Sequence, residues 1–357
     1  MQKNTKKNLN FFGLGVFGSE PVINSWCSEL LKYDQYSISY FGVQENKKVP
    51  TLTDISCKHS DFERNPFLRR VKFVLMVKKY IDLGKIIPSA TNSIVYFPGC
   101  SILKFFLKNL ILYVPTLSVS QSAFYRIFFD TILKVEARIF DNIITVNHYL
   151  EKKIGHPKSF VVELGSRAFD YEPKTTDTID FLYVGTLFNR NILDSVKAFQ
   201  IACKKNKKIC YTIIGNGCDN EAKKIIKYID ENSLDSSIKF LDGIHPPEVD
   251  SYFKSANFGI SYVPQSDYFD LQPVTKVYEY CAAGLFVLAT NTTAQRNMLI
   301  DDIGICVDCD IDLFADKISY LANKADEFDY LSIHRYGANF LNKTIVRNKL
   351  LPVLDSK

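Results

Sequence analysis

The chain has 357 residues, of which 46% are hydrophobic and 23% charged; this is ordinary globular composition and excludes a fibrous or largely disordered protein. That length is too great for one ordinary domain and suits two domains of roughly 150 to 180 residues each. Residues 1–170 hold 23 Lys and Arg against 14 Asp and Glu, whereas residues 171–357 hold 21 Lys and Arg against 25 Asp and Glu. The basic first half predicts an anionic partner, which can be nucleic acid, an anionic membrane or a diphosphate-linked acceptor.

The first half alternates short apolar runs with helical stretches, which is typical of a parallel α/β fold. Its predicted strands cover residues 9–14, 37–41, 94–97, 116–120, 142–146 and 159–164. Its predicted helices cover residues 22–31 and 124–140. The boundary of this domain is predicted near residues 165–178, where the chain becomes polar.

A second series of the same kind follows the polar stretch. Its predicted strands cover residues 180–184, 209–214, 238–241, 258–262, 286–289 and 305–307. Helices are predicted from residue 192 to residue 204 and from the glycine-rich turn after the second strand to about residue 232. Because such sheets bind ligands outside the carboxyl ends of their strands, two of them in series predict a site in a groove between domains.

The nine cysteines are odd in number and scattered, which predicts buried thiols in a reducing compartment. Cys306 and Cys309 form a lone CxxC without a second pair or a histidine at metal spacing, so zinc or redox use is disfavoured. The apolar stretch 11–17 follows three lysines but is short, interrupted by glycine and without a cleavage site, which disfavours a signal peptide. With no window of ~20 apolar residues, we expect a cytoplasmic protein.

The loop from Gly13 to Gly18 follows a strand, precedes a helix and matches the dinucleotide fingerprint. An NAD site would also need an acidic residue at the end of the second strand to hold the ribose, and that strand ends in tyrosine, phenylalanine and glycine. An NAD-dependent dehydrogenase is therefore the less favoured alternative. Gly15 and Gly18 are expected instead to shape an acceptor-side loop, with Glu20 near the cleft.

The most informative segment runs from Asp270 to Thr290. A polar loop enters a predicted helix on which Lys276 and Glu279 are three residues apart and share a face. The free amides of the helix N-terminus, near Val274, and the charge of Lys276 suit a diphosphate, and the carboxylate of Glu279 one turn deeper suits a pair of sugar hydroxyls. An amphipathic helix carrying a surface ion pair is the alternative for this segment alone.

Residues 273–284, with the sequence PVTKVYEYCAAG, resemble the corresponding stretch of the GT-B glycosyltransferases, in particular those grouped as glycosyltransferase family 4. The segments 162–169, 181–187, 211–217, 238–243 and 248–262 resemble other parts of that family in the same order. The resemblance implies two Rossmann-like domains whose parallel sheets face a central cleft. The domains would be 1–168, on the acceptor side, and 169–357, binding the nucleotide sugar, with the last helix able to pack back on the first domain.

The resemblance also implies roles at matching positions. Glu279 would bind the donor's ribose, and the amides of Val274 and Thr275 would bind its diphosphate beside Lys276. Arg190, in the loop after the first strand of the second domain, would neutralise phosphate there. The donor would be linked to UDP or GDP, and no other cofactor is expected.

The other donor contacts implied lie at Gly185, Gly217, Ile244 and His245. Gly185 and Gly217 follow the first two strands of the second domain. Ile244 and His245 follow the third and would lie against the nucleobase, although a histidine before two prolines is equally typical of an exposed turn.

One departure from the family concerns the transferred sugar. The family often carries two glutamates with seven residues between them, the first of which contacts the transferred sugar. Eight positions before Glu279, where that first glutamate would stand, this sequence has Leu271. Asp270 or Gln272 beside it is expected to take over the sugar contact. The departure leaves the stereochemical outcome open and favours, as an alternative, a non-catalytic sugar-nucleotide or glycan-binding protein.

Catalysis requires stabilisation of the leaving diphosphate and activation of an acceptor hydroxyl. Lys276, Arg190 and the helix N-terminus supply positive charge, and no DxD-like motif ends a strand, so transfer is expected to need no metal. If configuration inverts, Glu20 is the candidate general base; if it is retained, the departing phosphate can take the proton. Asp270, as a candidate for the sugar contact, is the second candidate catalytic residue. The acceptor would be a glycan or lipid-linked molecule used in surface polysaccharide or glycoconjugate synthesis.

Two basic and apolar stretches of the first domain, residues 67–80 and 102–113, predict peripheral contact with the inner face of an anionic membrane. The second is expected to be an apolar helix with Lys104 and Lys108 on one face. For residues 67–80, a buried helix with charged ends is an equal alternative. Nucleic acid is not expected as a partner, because the basic residues are not interleaved with an aromatic platform.

Overall fold

A computed structural model describes residues 6–18, 20–43, 55–88, 92–118, 120, 122–216, 220–242 and 246–355. The predicted site residues Gly217, Ile244 and His245 lie outside these ranges. Two compact units make up the chain: unit 1 contains residues 1–163 and 342–357, and unit 2 contains residues 164–341.

Unit 1 is a parallel α/β unit, as predicted. Within its described residues the strands are β1 (Lys7–Phe12), β2 (Tyr36–Val43), β3 (Ser56–Ser60), β4 (Asn92–Val95), β5 (Leu110–Val114), β6 (Asn142–Thr145) and β7 (Ser159–Val161). They pair in the order β3-β2-β1-β4-β5-β6-β7, every pair parallel. The helices are α1 (Pro21–Leu30), α2 (Pro66–Asp82), α3 (Ala123–Ala137) and α4 (His148–Ile154).

Two expectations for unit 1 are wrong. Residues 116–118 and 120 form no strand; the strand at this place in the sheet is β5, whose five residues are all buried. Residues 102–113 are therefore not one apolar helix: a 3-10 helix covers Cys100–Phe105, and the chain then enters β5. Lys104 makes an ion pair with Asp141. The run LILYV is rich in β-branched and aromatic residues, which suits a central strand buried on both faces.

Unit 2 repeats the architecture with six parallel strands among its described residues. They are β8 (Ile179–Thr186), β9 (Ile209–Asn216), β10 (Ile238–Leu241), β11 (Phe258–Ser261), β12 (Phe286–Thr290) and β13 (Gly304–Val307), in the order β10-β9-β8-β11-β12-β13. Around them lie α5 (Ile192–Lys205), α6 (Glu221–Glu231), α7 (Pro246–Ser255), α8 (Thr275–Ala282), α9 (Thr293–Met298), α10 (Ile311–Asn323) and α11 (Tyr330–Gly337). Every strand predicted for this half is confirmed, to within two residues at each end.

The C-terminal segment belongs to unit 1. It contains α12 (Asn342–Ile345), a π-helical turn over Val346–Leu350 and α13 (Leu351–Asp355). Lys7 of β1 donates a hydrogen bond of 2.8 Å to the carboxylate of Asp355, and Lys349 lies 3.7 Å from the carboxylate of Glu163. These ion pairs join the two ends of unit 1.

Candidate nucleotide-binding site

The strand order of unit 2 locates its binding crevice. After β8 the chain adds β9 and β10 on one side, then crosses to place β11 on the other side of β8. The loops that leave β8 and β11 at their carboxyl ends therefore diverge, and open α/β sheets bind ligands at such a point. The loop after β8 contains Gly185 and Arg190, and the loop after β11 leads into helix α8.

Gly185 makes room for a buried cation. Its φ of 147° is one that side-chain-bearing residues rarely adopt, and a Cβ there would lie 3.2 Å from Nζ of Lys276. Lys276 is only 8% exposed, and its Nζ lies 3.7 Å from the centroid of the Tyr183 ring. The ammonium group is thus held against an aromatic face beneath the glycine turn.

Lys276 shares this region with a second cation. Burial lowers the pKa of Lys276 well below its usual value, and the charge of Arg190 lowers it further, whereas Glu279 acts in the opposite direction. Two positive groups held together without an equal negative charge are unfavourable unless an anion joins them. The arrangement is suited to an anionic ligand.

Arg190 is presented by a tight turn between β8 and α5. Its flanking residues Asn189 and Asn191 have φ values of 54° and 51°, in the left-handed region that asparagine tolerates. The guanidinium stacks over Phe269 at 4.3 Å, and its Nη1 is buried with no hydrogen-bond partner among the described residues. An unpaired buried donor of this kind is costly, and a ligand oxygen would satisfy it.

Glu279 lies one turn into α8. Burial raises the pKa of its carboxyl group, while the charges of Arg167 and Lys276 lower it. Within the described part of the chain its carboxylate makes no hydrogen bond, and Arg167 is paired instead with Asp250. Among the described residues the carboxylate is therefore an unused acceptor, in a sheltered position.

The N-terminus of α8 is open. Its N-cap residue is Val274, whose side chain cannot cap the helix, and Thr275 at the first helical position is exposed. The first amides of a helix have no partner within the helix and carry partial positive charge. This terminus, Lys276 and Arg190 present their positive charge at the same crevice.

The two candidates for the sugar contact differ in their bonding. Oδ1 of Asp270 accepts a hydrogen bond of 2.8 Å from the amide of Thr293, and its main-chain oxygen accepts one of 2.8 Å from Ala294. Asp270 thus ties its loop to the first turn of α9. Oε1 of Gln272 is buried and has no partner among the described residues. Gln272 is the candidate with an unused acceptor.

Tyr280, which the sequence reasoning did not single out as a functional residue, fixes the position of α8. Its hydroxyl donates to the carbonyl of Ile260 on β11 at 3.1 Å and accepts from the amide of Val184 on β8 at 3.0 Å. The C-terminus of the helix is held by His334, whose Nδ1 lies 2.7 Å from the carbonyl oxygen of Ala282. The helix that carries Lys276 is thus tied to both strands of the crevice.

Replacing Tyr280 with phenylalanine is expected to destabilise unit 2 by about 1–3 kcal/mol, because one buried amide and one buried carbonyl lose their partner. Urea unfolding followed by far-UV circular dichroism would measure the loss. Tyr320→Phe is the matched control, since that ring is 47% exposed. Equal stability of the two variants would show that the hydroxyl does not hold the helix.

The predicted residues of unit 1 lie at its own strand-order reversal, between β1 and β4. The carbonyl oxygen of Gly15 accepts hydrogen bonds from the Tyr40 hydroxyl at 3.0 Å and the Val43 amide at 3.2 Å, and Gly18 has a φ of 91°. Glu20 is solvent-accessible at the start of α1, yet the surrounding protein desolvates it enough to raise its pKa. These residues share the loop that follows β1.

An aromatic pair missed by the sequence reasoning borders this loop. The hydroxyls of Tyr40 and Tyr96 lie 2.6 Å apart. His59 lies beside Tyr40, its Nε2 is buried with no partner among the described residues, and burial lowers its pKa. No spacing along the chain predicts this cluster, because Tyr40 and His59 lie on two different strands, Tyr96 follows a third, and only the sheet brings them together.

Comparison with known proteins relates part of the chain to a known family. Residues 167–332 match the family model of the glycosyl transferases group 1. The match lies within the second unit and covers less than half of the chain. No curated protein matches the chain in sequence.

Solved structures extend the likeness over the whole chain. Sucrose-phosphate synthase from Thermosynechococcus elongatus superposes with a TM-score of 0.77 at 15% identity, covering 98% of both chains. A glycosyltransferase from Rickettsia africae gives 0.73 at 13% identity, covering 99% of this chain and 100% of the other. HepE of Anabaena, solved with UDP and glucose, gives 0.71 at 10% identity over 99% and 100%. The fold is GT-B, as the sequence predicted.

The matched segment contains the crevice and both of its cations. Among the described residues of the chain, no group of His, Cys, Asp and Glu is arranged to hold a metal ion. No described helix is both long and apolar enough to cross a membrane.

Proposed function

We propose that this protein transfers a sugar from a UDP- or GDP-linked donor to a glycan or lipid-linked acceptor in surface polysaccharide or glycoconjugate synthesis. One observation carries the proposal: Lys276, Arg190 and the open N-terminus of α8 concentrate positive charge that Glu279 only partly offsets, at the crevice of the segment that matches the group 1 glycosyl transferases. A nucleoside diphosphate supplies the anion that such a site lacks. The free carboxylate of Glu279 lies one turn further along, where it can accept the ribose hydroxyls.

Transfer breaks the bond between the sugar's anomeric carbon and the diphosphate and forms one to the acceptor oxygen. The cations and the helix N-terminus stabilise the charge that develops on the leaving diphosphate. We propose that Gln272, whose Oε1 is unpaired, contacts the sugar, because Asp270 is engaged with α9. The acceptor's proton passes to Glu20 if configuration inverts, and to the departing phosphate if it is retained.

The direct test is a panel of nucleotides and nucleotide sugars screened by thermal shift, followed by a transfer assay. UDP or GDP and one of their sugars are expected to raise the melting temperature, because a ligand that binds only the folded state stabilises it. NAD(P) is expected to leave it unchanged. A panel without any stabilising nucleotide would contradict the proposal, and binding without hydrolysis or transfer of any donor would favour the non-catalytic alternative.

We expect transfer to continue in excess EDTA, because protein cations can carry the stabilisation of the leaving group. Initial rates with and without EDTA, at saturating donor, are the measurement. Rates within about twofold of each other are expected. Complete loss of activity that Mn²⁺ restores would contradict this expectation.

The proposed location is the cytoplasm, at the inner face of the cytoplasmic membrane. The basic charge balance of residues 1–170 supports it. Helix α2 supports it further, because Phe67 and Leu75 are 73% and 60% exposed on a helix that also exposes Lys78 and Lys79.

A further inference from the structure

The segment that begins unit 2 holds a cation in a fixed position beside helix α7. The amide of Ser166 donates to the carbonyl of Phe340, and its hydroxyl donates to the carbonyl of Arg167, both at 2.8 Å. Cζ of the Arg167 guanidinium lies 4.2 Å from the centroid of the Phe169 ring and 5.7 Å from that of Phe253 on α7. Hydrogen bonds of the main chain and two aromatic faces therefore fix where this charge lies.

Two carboxylates surround this guanidinium. Asp250, on α7, forms an ion pair with Nη2 of Arg167. Glu279, on α8, is close enough for the charge of Arg167 to lower its pKa and for the charge of Asp250 to raise it. The two helices pack together, since the ring of Phe253 lies 5.8 Å from that of Tyr280 beside Glu279. Arg167 therefore acts on both carboxylates and is paired with only one of them.

This arrangement meets two opposing requirements of a carboxylate that binds a ribose. A buried carboxyl group tends to hold a proton, which removes its charge, so a nearby cation is needed to keep it ionised. A guanidinium bonded directly to that carboxylate would instead occupy the oxygens that the ribose hydroxyls require. Arg167, paired with Asp250, supplies positive charge to Glu279 without occupying its oxygens.

The other groups around Glu279 have smaller effects on it. Lys276, on the same helix, also lowers the pKa of Glu279, but Arg167 lowers it more. Strands β11 and β12 and the turn of residues 338–340, which pack against α8, carry no titratable side chain. Helix α11 contributes His334, which is bonded to the carbonyl at the far end of α8, and an exposed arginine. Among the described residues, Arg167 is thus the principal cation acting on Glu279.

We propose that Arg167 and Asp250 are positioning residues for Glu279 in the donor site: Arg167 keeps the carboxylate charged, and Asp250 keeps Arg167 from bonding to the carboxylate oxygens. Neither residue needs to touch the nucleotide. The inference rests on the proposed function, because it requires Glu279 to accept the ribose hydroxyls.

The test is isothermal titration of the full-length protein with UDP and with GDP from about pH 5 to pH 8, the range in which raised carboxyl pKa values lie. Arg167→Met keeps the contact with the two rings but not the charge, so the pKa of Glu279 rises. The ratio of its affinity to that of wild type is expected to fall as pH is lowered, by up to about tenfold for each pH unit between the raised pKa and the wild-type pKa. Arg167→Lys keeps the charge and is expected to restore the wild-type profile.

Asp250→Asn tests the second residue of the pair. Arg167, released from Asp250, is expected to bond to Glu279, so nucleotide affinity falls by about three- to tenfold without a further loss at low pH. Adding Arg167→Met to Asp250→Asn is expected to restore wild-type affinity at the alkaline end of the range. A purely structural role of Asp250 predicts no such rescue, because the second substitution would add its own damage.

Lys254→Met is the matched control, since it removes another ion pair of α7, with Glu172 at 2.8 Å, and is expected to bind as wild type does at every pH. Lys174 also titrates in this range, because burial lowers its pKa to about 8, and it donates to the carbonyls of Phe253 and Lys254 at the end of α7. It is present in every variant, so the ratio to wild type removes its contribution.

A pH-independent ratio for Arg167→Met, or wild-type affinity in Asp250→Asn, would overturn the proposal. A ratio that depends on pH in the same way when Glu279→Gln is the background would overturn it too, because another group would then be titrating. Wild type that binds neither UDP nor GDP contradicts the proposed function together with this inference. Wild type that binds a nucleotide with the same affinity as these variants contradicts this inference alone.

Discussion

Replacing Glu279 with alanine is expected to reduce donor affinity, or kcat/KM where transfer is measured, by roughly 10²- to 10⁴-fold. A carboxylate that accepts two ribose hydroxyls contributes about 3–6 kcal/mol, at about 1.5–3 kcal/mol for each charge-assisted bond. The free protein is expected to be at least as stable as wild type, because burial raises the pKa of this carboxyl group and removing it relieves a desolvated charge. Isothermal titration with UDP and thermal melting would measure the two effects.

Two variants sharpen this experiment. Glu279→Gln keeps the shape and one acceptor oxygen but not the charge, and is expected to bind the nucleotide with intermediate affinity. Glu231→Ala removes an exposed glutamate of the same unit that pairs with Lys227 at 3.6 Å, and should change neither affinity nor stability. Nucleotide affinity in Glu279→Ala within twofold of wild type would remove the carboxylate from the site.

The second prediction concerns Lys276→Met, for which nucleotide affinity is expected to fall by roughly 10- to 100-fold. The lost interaction is a charge-assisted contact with the diphosphate, at about 1.5–3 kcal/mol. The free protein is expected to become more stable, since a buried ammonium repelled by Arg190 is replaced by an apolar side chain of similar length. Affinity and stability thus change in opposite directions, which distinguishes a binding cation from a structural one.

The pH dependence follows from the direction of the pKa shift. The folded protein holds the pKa of Lys276 well below the usual value of 10.5, so the cost of burying its charge is fully present below the folded pKa. As pH rises through the folded-state pKa, Lys276 loses its proton in the folded protein and the cost of burying its charge is relieved. This gain in stability stops at about pH 10.4, where Lys276 also loses its proton in the unfolded chain. Between the folded-state and unfolded-state pKa values of Lys276, wild type should therefore gain stability relative to Lys276→Met, while its affinity for UDP falls.

Urea unfolding and UDP titration across this pH range would measure both trends. In Lys276→Met both of these pH dependences should be absent. Lys197→Met is the control, because that lysine is only half-buried and pairs with Asp194 at 3.3 Å. If Lys276→Met keeps the wild-type dependence on pH, another group is responsible for it.

The sequence reveals the fold because its signals are local. Apolar runs, glycine turns and helical periodicity locate every strand of unit 2 in the right order. The same reasoning fails at residues 102–120, where an apolar run that ends in a buried strand cannot be told from a buried helix by periodicity alone. It also omitted β3 and α4, which are short and carry mixed polar and apolar residues.

Only part of the candidate site can be predicted from local sequence signals. Lys276 and Glu279 lie three residues apart on one helix, so their common face follows from helical geometry. Three other contacts join residues that are about 80 to 100 positions apart in the sequence. They are the packing of Lys276 on Tyr183, the stacking of Arg190 on Phe269 and the hydrogen bond between Tyr280 and Val184 that anchors α8. The bonding of Asp270 to α9 likewise depends on the tertiary structure, and it favours Gln272 as the sugar contact.

By itself, the sequence determined the parallel α/β architecture, the resemblance to GT-B glycosyltransferases and the helix on which the predicted donor residues lie, because each depends on neighbours within a few turns. Only the tertiary structure decided which charges are buried together and which of them pair. A desolvated cation beside a second cation, and an arginine beside two carboxylates, arise from packing between distant segments, which local pattern does not specify.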